Sequence, residues 1–211
     1  MYMKAVFAAL AAVFVMVMTG CGNSSARQGA TGAGAGMDVA VADSALYASA
    51  YDESVLEVSF HFTRQGGIAS NQFAVWIEDI QGRYVRTLYA TRWTATGGWQ
   101  RRETSVPQWV NRSGLAGRGH AHIDALAGPT PQTGVLSYLW DGRNYAGQPV
   151  PPGEYQIFVE GSLRWENRVL YTAVVRLGEA GQVSAVPMFF GDSTQERGMI
   201  GPVTVAVTAR P

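Results

Sequence analysis

Few side chains in this chain have the type and spacing that chemistry needs, and the first is a thiol. Cys21 is the single cysteine. It follows Met18-Thr19-Gly20 at the end of an apolar run, where a thiol freed at a new N-terminus accepts a diacylglycerol. With no second cysteine, an exported domain cannot use an internal disulfide and must rely on its core. His120, His122 and Asp124 alternate, so an extended segment would aim all three to one side, as a transition-metal site requires. No fourth ligand stands nearby and the flanks are glycine-rich, which makes a solvated loop the reading, with no metal expected. Glu78, Asp79, Glu154 and Glu160 are the candidates for an acid pair of the glycoside-cleaving kind. Glu78-Asp79 heads a turn and the other two follow strand alternation, so all four read as surface carboxylates. Nucleophilic catalysis needs a serine or cysteine held beside a base. The only cysteine has another use and no nucleophile-elbow sequence is present, so no catalytic residue is expected. Arg101, Arg102, Arg112 and Arg118 are scattered among opposite charges and read as solvated.

The segments that carry these residues follow in order. Residues 1–20 have a short n-region with Lys4, an apolar run from Ala5 to Met18 and small residues before Cys21, the order of a secretory signal. The apolar run of about 14 residues is short for a bilayer span. Met18 to Cys21 fits a lipobox, so lipid on Cys21 is expected to hold the mature chain to a membrane outside the cytoplasm. Gly22 directly after the cysteine, where aspartate would retain it in the inner membrane, fits outer-membrane sorting in a Gram-negative envelope. Gly22 to Gly36 (GNSSARQGATGAGAG) has nothing to bury and reads as a tether, so residues 21–50 are assigned to the lipidated cysteine and linker. The charge is balanced, 16 Lys plus Arg against 16 Asp plus Glu, which leaves no basic field for nucleic acid.

Residues 51–211 read as one all-β domain. Leu56, Val58, Phe60 and Phe62 alternate with Glu57, Ser59 and His61, the period of a half-buried strand. Phe73, Val75 and Ile77 repeat it, Asp79-Ile80-Gln81-Gly82 turns, and Tyr84 to Tyr89 returns, which predicts a hairpin. Val135–Trp140, Glu154–Glu160, Val169–Leu177 and Val203–Ala209 are further strands. About seven strands separated by turns predict an immunoglobulin-like antiparallel β-sandwich. Between Ala90 and Gly134 lies an insertion too long for a passive connection. Pro107-Gln108-Trp109-Val110 within it predicts a short helix capped by Thr104 or Ser105 and stopped at Ser113-Gly114. Its Trp93, Trp99 and Trp109 are expected to be core residues that cover one edge of the sandwich. Met188 to Arg197 breaks the strand rhythm.

Two segments, FAVWIEDIQGRYVRTL from Phe73 to Leu88 and WDGRNYAGQPVPPGEYQIFVEG from Trp140 to Gly161, resemble the Ig-like domain of flagellar hook-capping proteins. With LYATRWTATGGW, SVPQWVNRSGLA and LRWENRVLYTAVV they also resemble a bacterial family of predicted periplasmic proteins called domain of unknown function 2271, across nearly all of Phe73 to Leu177. In that family the segment before the Trp-Asp-Gly strand resembles an acceptor motif for covalent flavin mononucleotide. Asp124, Gly128 and Thr130 keep its spacing, with Ala127 where a hydroxyl residue is usual and Pro129 where alanine is. The resemblance thus implies two functions. One is a non-catalytic Ig-like accessory domain that binds a protein partner in the envelope. The alternative is an electron carrier with FMN joined to the Thr130 hydroxyl, working with a membrane oxidoreductase.

Overall fold

A computed structural model describes residues 54–117, 126–191 and 198–209. Among them are ten strands: β1 Ser54–Phe62, β2 Gln72–Asp79, β3 Tyr84–Thr91, β4 Ala127–Gly128, β5 Gly134–Trp140, β6 Gly153–Arg164, β7 Asn167–Leu177, β8 Gly181–Ser184, β9 Val186–Phe190 and β10 Thr204–Ala209. They form a four-stranded sheet in the order β5-β1-β10-β8 and a six-stranded sheet in the order β4-β3-β2-β6-β7-β9. All pairings are antiparallel except β3 with the two-residue β4. The all-β sandwich is as the alternating patterns predict. The extra strands are β4, β8 and β9. Val186–Phe190 runs into the stretch that lacks a strand rhythm, and it pairs with β7 all the same.

The main core lies between the sheets. Leu56, Val58, Phe60 and Phe62 of β1 face Phe73, Val75 and Ile77 of β2 and Tyr155, Ile157 and Val159 of β6, with Trp140 closing one end. Each buried side chain of this size contributes roughly 1.5–3 kcal/mol. Two turns fix the hairpins. Asp79 Oδ1 accepts the amides of Gln81 and Arg83 at 3.0 and 2.9 Å, while Gly82 takes a φ of 77° that a side chain would resist. In the Trp-Asp-Gly loop, the Trp140 indole N–H donates to the Arg143 carbonyl at 2.8 Å, and the Tyr155 hydroxyl donates to Pro151.

A second core sits on the outer face of the six-stranded sheet. Ala74 and Trp76 of β2, Ala90 and Ala127 pack there against Ala95, Val106, Trp109, Val110 and Leu115 of the insertion. The insertion therefore covers a face of the sandwich, which corrects the expectation that it covers an edge. Its chain makes a helical turn at Thr94–Gly98, continues through Trp99–Arg101 and then forms a six-residue helix, α1, at Pro107–Arg112. Because both faces of β2 are packed, seven of its eight residues are buried, although its sequence alternates like a half-exposed strand. Trp109 is wholly buried in this layer and Trp99 packs against it, whereas Trp93 is exposed.

Candidate functional site

The strongest concentration of buried polar chemistry lies under the insertion. Glu78 at the end of β2 is 1 % exposed and Glu160 near the end of β6 is 0 % exposed, so two of the four expected surface carboxylates are buried. Alternation places Glu78 and Glu160 on the outer sheet face, and the insertion then closes over that face. The Glu78 carboxylate accepts the Trp76 indole N–H at 2.8 Å on Oε1 and the Arg112 guanidinium at 3.0 Å on Oε2. Glu160 accepts Arg168 at 3.0 Å and the Gln108 amide at 3.3 Å on Oε1, and the Trp109 amide at 3.0 Å on Oε2. Burial raises its carboxyl to about 7; the two amides and Arg168 pull the other way without cancelling it.

These contacts clamp α1 at both ends. Val106, ahead of the helix, has a φ of 50° and no side chain of its own segment caps the first turn. Glu160 supplies the cap from β6, which corrects the assignment of that role to Thr104 or Ser105. Those two residues are engaged elsewhere: Ser105 Oγ meets Thr94 Oγ1 at 2.8 Å, and the Thr104 carbonyl accepts the Ser162 hydroxyl at 3.0 Å. Pro107 does open the helix, and the stop at Ser113-Gly114 is as predicted. Glu78 and Glu160 stand too far apart to share one acid-pair site. Glu160 lies opposite Ala74, so Glu78 is four residues further along β2, about 13 Å at strand spacing, and both carboxylates are saturated by donors. Glu154 is exposed and makes only a loose ion pair, 3.6 Å from Arg176.

Of the residues singled out for cofactor attachment, Gly128 and Thr130 are described. Cys21, His120, His122, Asp124 and Arg118 lie outside the described residues. Gly128 is half-buried in β4, and an added Cβ there would sit 2.7 Å from the Tyr89 ring. The Tyr89 hydroxyl donates to the Pro129 carbonyl at 2.5 Å, and the Tyr89 ring lies 5.0 Å from Tyr138 and 5.1 Å from Phe73. Thr130 follows on a half-buried loop. The aromatic cluster that reaches this loop through Tyr89 is therefore Tyr89, Tyr138 and Phe73. Burial pushes the Tyr89 phenol up to about 12, partly offset by Arg92. Among the described residues no group of three or more metal-ligating side chains comes together.

A groove of about 380 Å³ runs between the β2–β3 turn and the Pro151-Pro152 segment, with Tyr84, Tyr145, Asp79 and Glu154 on its walls. Asp79 is engaged by the turn amides and by Arg83 at 2.5 Å, and Glu154 on the same groove is exposed. A family model described as predicted periplasmic protein, DUF2271, matches residues 54–187. The chain belongs to this family. The matched stretch runs from the start of β1 into β9 and so takes in the insertion, both buried carboxylates and the Gly128–Thr130 loop. No curated protein and no solved structure matches the chain. As a member of DUF2271, the chain is a predicted periplasmic protein.

Each sheet ends in an exposed apolar strand: β9 carries Val186 and Met188, 71 % and 58 % exposed, and β5 carries Val135 and Leu139, 75 % and 64 % exposed. Strand alternation singled out Glu78 and Glu160 only as surface carboxylates and gave Arg168 no role. A signal existed: Phe158 stands between Gln156 and Glu160, and Trp76 between Ala74 and Glu78, on what should have been polar faces. A large aromatic on the outer face announces a second layer.

Proposed function

We propose that this chain is a non-catalytic envelope protein, anchored by lipid on Cys21, whose β-sandwich binds a protein partner through its sheet edges. The observation that carries the reading is that, among the described residues, β9 and β5 end their sheets and carry exposed apolar side chains, surfaces that single-chain domains usually cover or charge. Every described buried carboxylate serves the fold, which fits a domain without its own substrate chemistry. A photo-reactive amino acid at Met188 tests the partner, with one at exposed Glu179 as control. Cross-linked adducts in the envelope are expected from position 188 and not from 179; equal labelling at both would sink the reading. Cys21→Ser tests the anchor, and the expected result is loss of fatty-acid labelling and release of the protein from membranes.

A second reading is favoured by the Tyr89 and Tyr138 rings beside the Gly128–Thr130 loop. Here Thr130 would hold FMN through a phosphoester, and the flavin would supply electron transfer to and from a membrane oxidoreductase. Tyr89 and Tyr138 would line one side of it. Gly128, however, is required by the protein's own packing against Tyr89, which explains its presence without a nucleotide and ranks this reading second. Intact mass after export alongside a periplasmic flavin transferase decides it: a Thr130-dependent adduct supports a carrier, and unmodified protein beside a labelled control removes it.

A further inference from the structure

We propose that the end of the sandwich remote from Ser54 is a membrane-docking face, which seats on anionic lipid headgroups through Trp165, Ile68 and Trp93. Two loops and the entry to the insertion meet there. The Ser70 amide donates to the Leu163 carbonyl at 2.9 Å, which sets the β1–β2 loop carrying Ile68 beside the β6–β7 hairpin carrying Trp165. The Thr94 hydroxyl donates to Gln72 Oε1 at 3.0 Å and holds Trp93 near the start of β2. Ser54 begins the nine-residue β1 at the opposite end, about 30 Å away at strand spacing.

Residue type, shape and charge all point to lipid. Ile68 is 76 % exposed, Trp165 67 % and Trp93 41 %, and an indole, apolar with one N–H donor, favours the headgroup level of a bilayer. Arg164 pairs with Asn167, so Trp165 and Glu166 form the two-residue tip of a hairpin. Trp165 takes a φ of 53° there, a left-handed conformation that tight turns normally give to glycine or asparagine. The fold alone would be served by glycine, and the strain holds an indole out at a loop tip. Ile68 follows Gly66 and Gly67, where added side chains would meet nothing within 4 Å. Protruding tips of this kind suit insertion between headgroups, whereas protein hot spots cluster in packed pockets. Arg64, Arg92, Arg101 and Arg164 rim these residues against Glu103 and Glu166. At the Ser54 end, by contrast, Asp79, Asp141 and Glu154 are matched by Arg83, Arg86 and Arg176. Among the described residues the excess of cations therefore lies on the end that carries both exposed tryptophans, and each arginine near an anionic surface adds attraction. Seated end-on, the domain keeps the β5 and β9 edges clear of the membrane, so this contact is separate from the partner surface proposed above.

Co-sedimentation of residues 22–211, which keep every described element and lack Cys21, with phosphatidylcholine vesicles and with vesicles containing phosphatidylglycerol tests this. Binding is expected to the anionic vesicles and should weaken at high salt, with brominated acyl chains quenching the tryptophan fluorescence. Trp165→Gly relaxes the turn, so it should unfold at no lower temperature than the parent, yet bind about tenfold more weakly. Arg64→Gln should cost about fivefold. Tyr145→Ser, at the Ser54 end, and Met188→Ser, on β9, should bind like the parent. No binding to anionic vesicles, full binding by Trp165→Gly, or an equal loss in Tyr145→Ser would each overturn the proposal. So would a photo-reactive residue at position 165 that cross-links a protein and no lipid. Cross-linking from position 188 tests the partner surface separately, so either can fail alone.

Discussion

The Trp109 indole N–H donates to the Thr87 hydroxyl at 2.8 Å, and neither residue has any solvent exposure. One bond thus ties the insertion helix to the middle of β3, inside the second core. Trp109→Phe keeps most of the buried area and loses the bond, while Thr87 retains Tyr84 at 2.7 Å; the expected cost is about 1 kcal/mol. Trp109→Ala empties the site and should cost about 3–5 kcal/mol. Urea unfolding measures both, and equal costs would contradict the assigned geometry.

Glu78 and Arg112 predict an asymmetry between buried and exposed ion pairs. Arg112→Ala leaves a fully buried carboxylate with only the Trp76 indole as partner and should destabilise by about 1–3 kcal/mol. Arg83→Ala breaks a shorter contact to Asp79, yet Arg83 is largely exposed, so a loss of at most about 1 kcal/mol is expected. Chemical denaturation of the two variants side by side reads the difference.

Gly128 and Thr130 separate structure from modification. Gly128→Ala forces a methyl to within 2.7 Å of the Tyr89 ring, an overpacking expected to cost about 1–3 kcal/mol. Thr130→Ala removes a half-buried hydroxyl at the surface and should stay within about 0.5 kcal/mol of the parent. Thermal unfolding distinguishes them; a neutral Gly128→Ala would show that Tyr89 does not seal this site.

Alkaline titration should reveal protected phenols. Burial lifts Tyr89 to about 12 and raises Tyr138 as well, with Tyr89 adding to the shift at Tyr138. Their folded-state values are raised, so the stability they contribute is present below the ordinary tyrosine range and is lost as pH rises through about 12. Absorbance near 295 nm should show part of the nine-tyrosine signal delayed, and less of it in Tyr89→Phe. A single transition at the ordinary phenol value in folded protein would refute the burial.

The sandwich was legible because strand alternation is a local signal. Leu56, Val58, Phe60 and Phe62 point inward wherever β1 lies, and the Asp79–Gly82 turn and the Pro107 helix start are equally local in cause. β8 and β9 were not legible. They are short, and Val186-Pro187-Met188 pairs with β7, from which β8 separates it in the chain. The Phe158 and Trp76 signal of a second layer was present, but alternation alone reads one face as core and the other as solvent.

By itself, the sequence determined the all-β class, the balanced charge and the helix within the insertion, because strand alternation, composition and a helix start are all read from the chain without its folding. Tertiary structure decided where that insertion lands, that Glu160 caps a helix more than fifty residues away in sequence, and that Glu78 and Arg112 meet. A carboxylate on the outer face of a strand is solvated or buried according to what packs over it. The covering layer comes from another part of the chain, so the ionisation of Glu160 and the role of Arg168 became readable only in the folded domain.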